Sequence, residues 1–426
     1  MEDKKLTIAE KLKELRESKG HTQKHFSDAL DDWGVSRISE VETGKKEYTY
    51  AQVMKLKKYL DIENAPITDK ELDKFVKRFD VWREYIGSMR IDEARKLYGE
   101  LAVITELKFE SNLNILYKII EARMLMGEGK RESAKEILEF IEPLIEGASD
   151  KVKYHFYFAL GLQYLHEEKS EKALELYLLA YDIDVDKSEK EPTLYFNLAL
   201  CYSRLGMAIR CIIIILNSYK MFSHEITGIR ELYVDNTLAS NYVRTRQLDS
   251  AIELLSKALW RANNLGDKYF IGLTLHNYGV AYLHLGECEK AIEYFDQSLE
   301  KFEKGDSLYL ENIYTKIRCL ILLKEKPEYR ELLDEAKKLS EGNPHYLLLF
   351  ESLDHTLTLS KPASLEFIEN ITIPYLRSKH EYTKSIFYCN ILIDVYTKKN
   401  SKIKNLEIKA LKGEINSIIT SGGVRK

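Results

Sequence analysis

Within this 426-residue chain, the stretch Ser36-Arg37-Ile38-Ser39-Glu40-Val41-Glu42-Thr43-Gly44 holds the residue types with the most specific chemistry. At helical spacing Ser36, Arg37, Ser39 and Glu40 face outward, Ile38 and Val41 turn inward, and Gly44 has the backbone freedom to end the helix. The outward set suits the edges of base pairs. An Arg37 guanidinium can fork onto O6 and N7 of guanine, Glu40 can accept from N4 of cytosine, and Ser36 and Ser39 can reach bases or phosphates. Gln23 and Lys24, opening the preceding helix, and Lys45 and Lys46, beyond the segment, stand where phosphates would be held. Double-stranded DNA is the partner this set implies. Bulk charge does not provide the attraction: residues 1–65 carry 13 Lys+Arg against 13 Asp+Glu, so placement must.

The elements that position these residues are short helices. Leu6–Lys19 has an apolar stripe at Ile8, Leu12 and Leu15 and stops at Gly20; Thr22 caps a second helix that buries Phe26 and Leu30. A turn at Asp31–Gly34 leads into the recognition segment, and a last helix from about Thr49 to Leu60 uses Val53, Leu56 and Leu60. Residues 1–65 therefore read as a helix-turn-helix domain. The pattern resembles the Xre/phage-repressor family: T-Q-x-x-[LF]-[AS], then S-x-x-S-x-[IV]-E-x-G-[KR], is met by Thr22, Gln23, Phe26, Ser27, Ser36, Ser39, Val41, Glu42, Gly44 and Lys45. That resemblance implies an ion pair between Arg16 and Glu42 that sets the docking angle of the recognition helix. The turn at Asp31-Asp32 is one residue longer than the family's, which leaves the helix start open between Val35 and Ser36.

After Pro66 the chain repeats at close to 40 residues. Gly161, Ala199, Ala239 and Gly279 are each followed by a Tyr three positions on (Tyr164, Tyr202, Tyr242, Tyr282). Twelve positions on stand Ala173, Cys211, Ala251 and Ala291; sixteen on, Tyr177, Ile215, Leu255 and Phe295. Small-then-aromatic, twice per unit, is the tetratricopeptide pattern of paired antiparallel helices. Weaker copies lie upstream (Trp82, Tyr85, Ala94, Tyr98; Ala122, Gly129, Ala134) and downstream (311–340, 345–376, 382–418). The fold class expected is all-α: a helix-turn-helix domain at 1–65, then about nine helix pairs at 66–426 forming a right-handed superhelix with a concave face. The string Ile212–Ile215 reads as a helix buried on both sides.

First-helix positions that line the inner face of such a stack include Phe158, Leu162 and His166; Phe196, Leu200 and Arg204; Asn236, Ser240 and Arg244; His276, Val280 and His284, with Asn197 and Asn277 beside them. Asn side chains can pair with both N–H and C=O of an extended peptide, and Arg204 with Arg244 can hold a carboxylate. The candidate peptide-binding set is His166, Asn197, Arg204, Asn236, Ser240, Arg244, His276, Asn277 and His284.

Composition excludes several classes. Gly (20) and Pro (7) are scarce and net charge is −4, which suits long helices and gives no global pull toward nucleic acid or membrane. Five scattered cysteines lack metal-ligand spacing and read as buried thiols of a reducing compartment. No apolar h-region opens the chain and no run spans a bilayer, so a soluble cytoplasmic protein is expected. No spacing selects a triad, a phosphate loop or a metal motif; the expectation is no enzyme, no cofactor and no metal.

A helix-turn-helix joined to about nine tetratricopeptide units resembles the RRNPP group of quorum-sensing regulators. The resemblance implies a homodimeric cytoplasmic receptor whose operator binding, on an inverted repeat, responds to a short signalling peptide in the repeat groove. The alternative is a Rap-like protein acting on a response regulator or phosphorelay protein by binding or phosphatase activity. Gln163, Gln247 and Gln297 lie within repeats and do not single out a catalytic glutamine. A co-chaperone grip on a C-terminal carboxylate would need Lys and Asn where Phe158 and Leu162 stand.

Overall fold

The computed structural model describes residues 8–30, 33–46, 48, 50–60, 69–88, 90–105, 111–185, 191–225, 228–323 and 326–421. All regular structure among these is helical. The expected turn at Asp31-Asp32, the break at Pro66 and the side chains of Ile8 and Val53 lie outside the described set.

Four short helices open the chain: α1 (Ile8–Ser18), α2 (Gln23–Ala29), α3 (Val35–Glu42) and α4 (Tyr50–Tyr59). Their core is Leu12, Phe26, Leu30, Trp33, Ile38, Val41, Leu56 and Leu60, the inward residues of each amphipathic stripe. Helices α1 and α3 end the same way. Gly20 (φ +73°) and Gly44 (φ +77°) take the left-handed conformation. The N–H of Gly20 bonds to Glu17 and that of His21 to Arg16; Gly44 bonds to Val41 and Lys45 to Glu40. Each is a paired closure that satisfies carbonyls the helix leaves open.

Nine helix pairs follow among the described residues, from Asp69–Gly87 with Ile91–Thr105 to Tyr382–Lys398 with Lys402–Ser421. The chain forms two compact units, residues 1–167 with 175–191, and residues 168–174 with 192–426. In both, the small repeat positions are where helices touch. A Cβ on Gly161 would come within 2.7 Å of the Tyr177 ring, and one on Gly279 within 2.5 Å of the Phe295 ring. Ala199 and Ala239 instead share their clusters with the slimmer Ile215 and Leu255. The first helix carries glycine where the second helix carries a ring, and alanine where it carries an aliphatic chain.

One expectation is corrected. The run Ile212–Ile215 is not buried on both sides: Ile213 is half exposed, as is Leu216, while Ile212 and Ile215 are buried. A 3.6-residue period puts Cys211, Ile215 and Ser218 on the packed face and turns Ile213 away.

In the first unit, Trp82 packs against Tyr98 and Tyr117, with ring centroids at 5.7 and 5.2 Å. Arg123 donates two bonds, 2.7 and 2.6 Å, to the carboxylate of Glu191. Burial alone would raise that carboxyl; Arg123, with His155 and Arg83, outweighs it and holds the pKa at about 2. In the second unit the last helix, Lys402–Ser421, returns to pack on Ala208–Glu225, and the Tyr382 ring covers Gly206. The five cysteines are buried and free, and no described helix is long and apolar enough to cross a membrane.

Candidate nucleic-acid interface and ligand cavity

Helix α3 is held from behind. Arg16 of α1 is buried and grips Glu42 with Nε and Nη2, at 2.7 and 2.9 Å, while its Nη1 donates to the carbonyl of His21 at 2.7 Å. Gln23 adds a bond from Nε2 to the same carboxylate at 2.8 Å. Its amide is thus engaged with α3, while Lys24, at the start of α2, is exposed. The helix begins at Val35, with Gly34 as its cap, which resolves the alternative between Val35 and Ser36.

On the outer face Ser36 and Arg37 are exposed and Ser39 and Glu40 half-buried. The Arg37 guanidinium lies 4.8 Å from the centre of the Trp33 ring, a contact that steadies its plane. Glu40 is bound by Lys46 at 2.6 Å, and that ammonium lowers its pKa. Lys45 is exposed. The face thus presents one forked donor, two hydroxyls and a carboxylate already paired with a lysine.

The second unit encloses a cavity of about 850 Å³, within the size range of roughly 300–1,000 Å³ common for ligand sites. Arg204, Ser240, Arg244, His276, Asn277 and His284 all line it. Their helices bring them together because first-helix residues four apart, one turn, share the inner face of successive pairs. Arg244 donates to the carbonyl of Ser203 at 2.7 Å, and burial lowers its pKa. His276 meets Asn312 at 3.0 Å, and burial lowers its pKa too. The pKa of His284 falls to about 3, through burial first and then the charges of Arg246, Arg318 and Arg244.

The other three candidates stand elsewhere. Asn236 is buried and spans repeats, donating to the carbonyl of Leu232 and the hydroxyl of Thr274 and accepting from Asn277. Asn197 is buried within its helix. His166 belongs to the first unit.

Sequence reasoning missed the opposite wall. Residues 378–384 close the cavity, with Glu311, Thr315 and Arg318 beside them. Lys384 bridges Glu311 and Glu381, at 2.9 and 3.1 Å. Burial favours the neutral form of Glu381, but Lys384 and His345 together hold it well below the ordinary carboxylate range. Thr315 and Arg318 stand on the next first helix, Ser307–Leu323, in the part of the chain where the sequence repeat is degenerate.

Comparison with known proteins agrees with this architecture. A tetratricopeptide repeat family model matches residues 230–304. The chain is 25% identical over 419 residues to the transcriptional activator NprA of Geobacillus stearothermophilus, covering 90% of this chain and 98% of that one. It is 26% identical over 332 residues to the response regulator aspartate phosphatase A of Bacillus subtilis (strain 168), covering 70% and 85%. The solved structure of NprR in complex with its cognate peptide NprX superposes with a TM-score of 0.64 at 20% identity, over 80% of this chain and 99% of that one. Matched along nearly the whole length of one relative, and built of the same repeat pairs, this chain is similar to the RRNPP-type regulators.

Proposed function

We propose that this chain is a transcriptional regulator whose operator binding is governed by a short peptide held in the cavity of the second unit. The observation that carries the reading is that cavity, lined by Arg204, Ser240, Arg244, His276, Asn277 and His284, in a chain whose α3 also presents Ser36 and Arg37 to solvent. Support comes from the match to a transcriptional activator and from a neighbour solved with its peptide. Arg37 reads a guanine, Ser36, Ser39 and Glu40 contact neighbouring bases or phosphates, and Lys24, Lys45 and Lys46 hold the backbone. Residues 1–65 are the DNA-binding domain and 66–426 the peptide-binding and dimerisation region. The regulator works as a homodimer on an inverted repeat. A peptide shifts DNA affinity only by as much as it prefers one conformation of the repeats over the other.

The test is a gel-shift titration on the promoter region next to the gene, with and without peptides from the neighbouring small open reading frame. Binding should change with one peptide. Arg37→Ala should cost about 1–3 kcal/mol on the operator and relax the base preference at one position. Binding equal with every peptide, or an unchanged footprint for Arg37→Ala, counts against the reading.

The match to an aspartate phosphatase favours a second reading, action on a phosphorylated response regulator. Gln163 is buried and its amide N–H donates to Glu167 at 3.0 Å, while its Oε1 has no hydrogen-bond partner among the described residues. Release of phosphate from a phosphorylated response regulator by the purified chain would establish this second activity.

A further inference from the structure

We propose that Arg244, His284 and Arg318 form a carboxylate subsite, which takes a terminal or side-chain carboxylate of whatever ligand fills the cavity. The proposal rests on the cavity being a ligand site. Charge is the first observation. The chain carries a net charge of −4, yet the cavity lining holds seven Lys and Arg against four Glu. Two of those carboxylates, Glu311 and Glu381, are held by Lys384, and Glu171 faces His380 at 3.6 Å.

The second observation is that the arginines lack anions. Among the described residues neither Arg244 nor Arg318 forms an ion pair. Arg244 spends Nη1 on the carbonyl and hydroxyl of Ser203. Arg318 makes ring contacts only: its guanidinium lies 4.4 Å from the centre of Phe387 and 5.7 Å from that of Tyr314. Its Nε is buried without a hydrogen-bond partner, and so is Nδ1 of His284. Guanidinium groups withdrawn from water with no counter-charge are costly, and a carboxylate accepting a forked pair of N–H bonds offsets that cost. The flanking rings hold the plane of Arg318, which favours a planar acceptor.

The test uses the full chain and three probes at fixed pH and ionic strength, read as thermal unfolding against a chloride baseline. N-acetylglycine carries the carboxylate of a peptide terminus, propionate that of an acidic side chain, and inorganic phosphate a tetrahedral oxyanion. Ligand that binds only the folded state raises the midpoint in a saturable way. We expect at least one carboxylate to raise it more than phosphate does, and the larger response of the two identifies the source. Arg318→Gln should weaken the apparent affinity by about tenfold, the loss of a charge-assisted bond. Should that variant fail to fold, Arg318→Lys, which keeps the charge but not the fork, must still show a reduced response. No saturable response, equal responses in the wild type and the variants, or a preference for phosphate overturns the proposal. Failure here leaves peptide control of DNA binding standing, because a ligand with neutral ends could exert it; failure of the gel-shift test leaves the anion response measurable.

Discussion

Arg16 and Arg37 are guanidiniums of the same small head, and their surroundings assign them opposite work. Arg16 is buried and its donors are taken by Glu42, Glu17 and the carbonyl of His21, so it is a brace. Arg37 rests on Trp33 with no bonded acceptor among the described residues, so its fork is free for a base edge. The same contrast holds between titratable groups in the cavity. His284 has a folded pKa of about 3 against an ordinary value of 6.5. Above pH 6.5 it is neutral in both the folded and unfolded chains. As pH falls from 6.5 toward 3 the unfolded chain takes up a proton that the folded chain refuses, so stability declines across that window. For one proton the slope is at most about 1.4 kcal/mol per pH unit. Denaturant unfolding of His284→Gln between pH 7 and pH 5 should show a flatter pH dependence than the wild type; parallel curves would mean that His284 titrates normally.

Between elements, the pairing of glycine with rings is the packing rule that builds the repeats. Gly279 lets the helix Lys268–Leu285 approach Phe295 of Cys288–Leu299 more closely than any Cβ allows. Gly279→Ala should therefore destabilise the chain by about 1–3 kcal/mol through overpacking. Adding Phe295→Leu, which recreates the Ala239–Leu255 combination, should restore part of the loss, as measured by chemical denaturation. If the double variant is no more stable than Gly279→Ala, the ring is not the obstacle. The sixteen-residue offsets from Gly161 to Tyr177 and from Gly279 to Phe295 were legible in the sequence, but that each glycine faces the ring of its own helix pair is seen only in the structure. The burial of Asn236 was not legible. Its partners Thr274 and Asn277 sit on the next repeat, and only the way two repeats stack decides whether an inner-face amide meets a ligand or another side chain.

At the scale of the whole molecule, the second unit closes on itself. Tyr382 of the ninth pair covers Gly206, which ends the helix Pro192–Arg204 with φ +73°. His380 faces Glu171 on the same side. Gly206→Ala should strain that turn and push the Tyr382 ring away. Faster hydrogen exchange in residues 378–384, with the cores of the other pairs unchanged, is the expected result; unchanged protection there would show that the closure does not depend on this contact. The amino-acid sequence by itself determined the helices, their pairing and the inward residues of the head, because periodicity, caps and local spacing act over a few turns; the Arg16–Glu42 brace, 26 residues apart, was expected only from the resemblance to the Xre family. Only the tertiary structure decided that Arg318, Glu381 and Lys384 share a cavity with Arg204 and Arg244. Those residues come from helix pairs spread from the fourth to the ninth, and how each pair stacks on the next decides which of them meet.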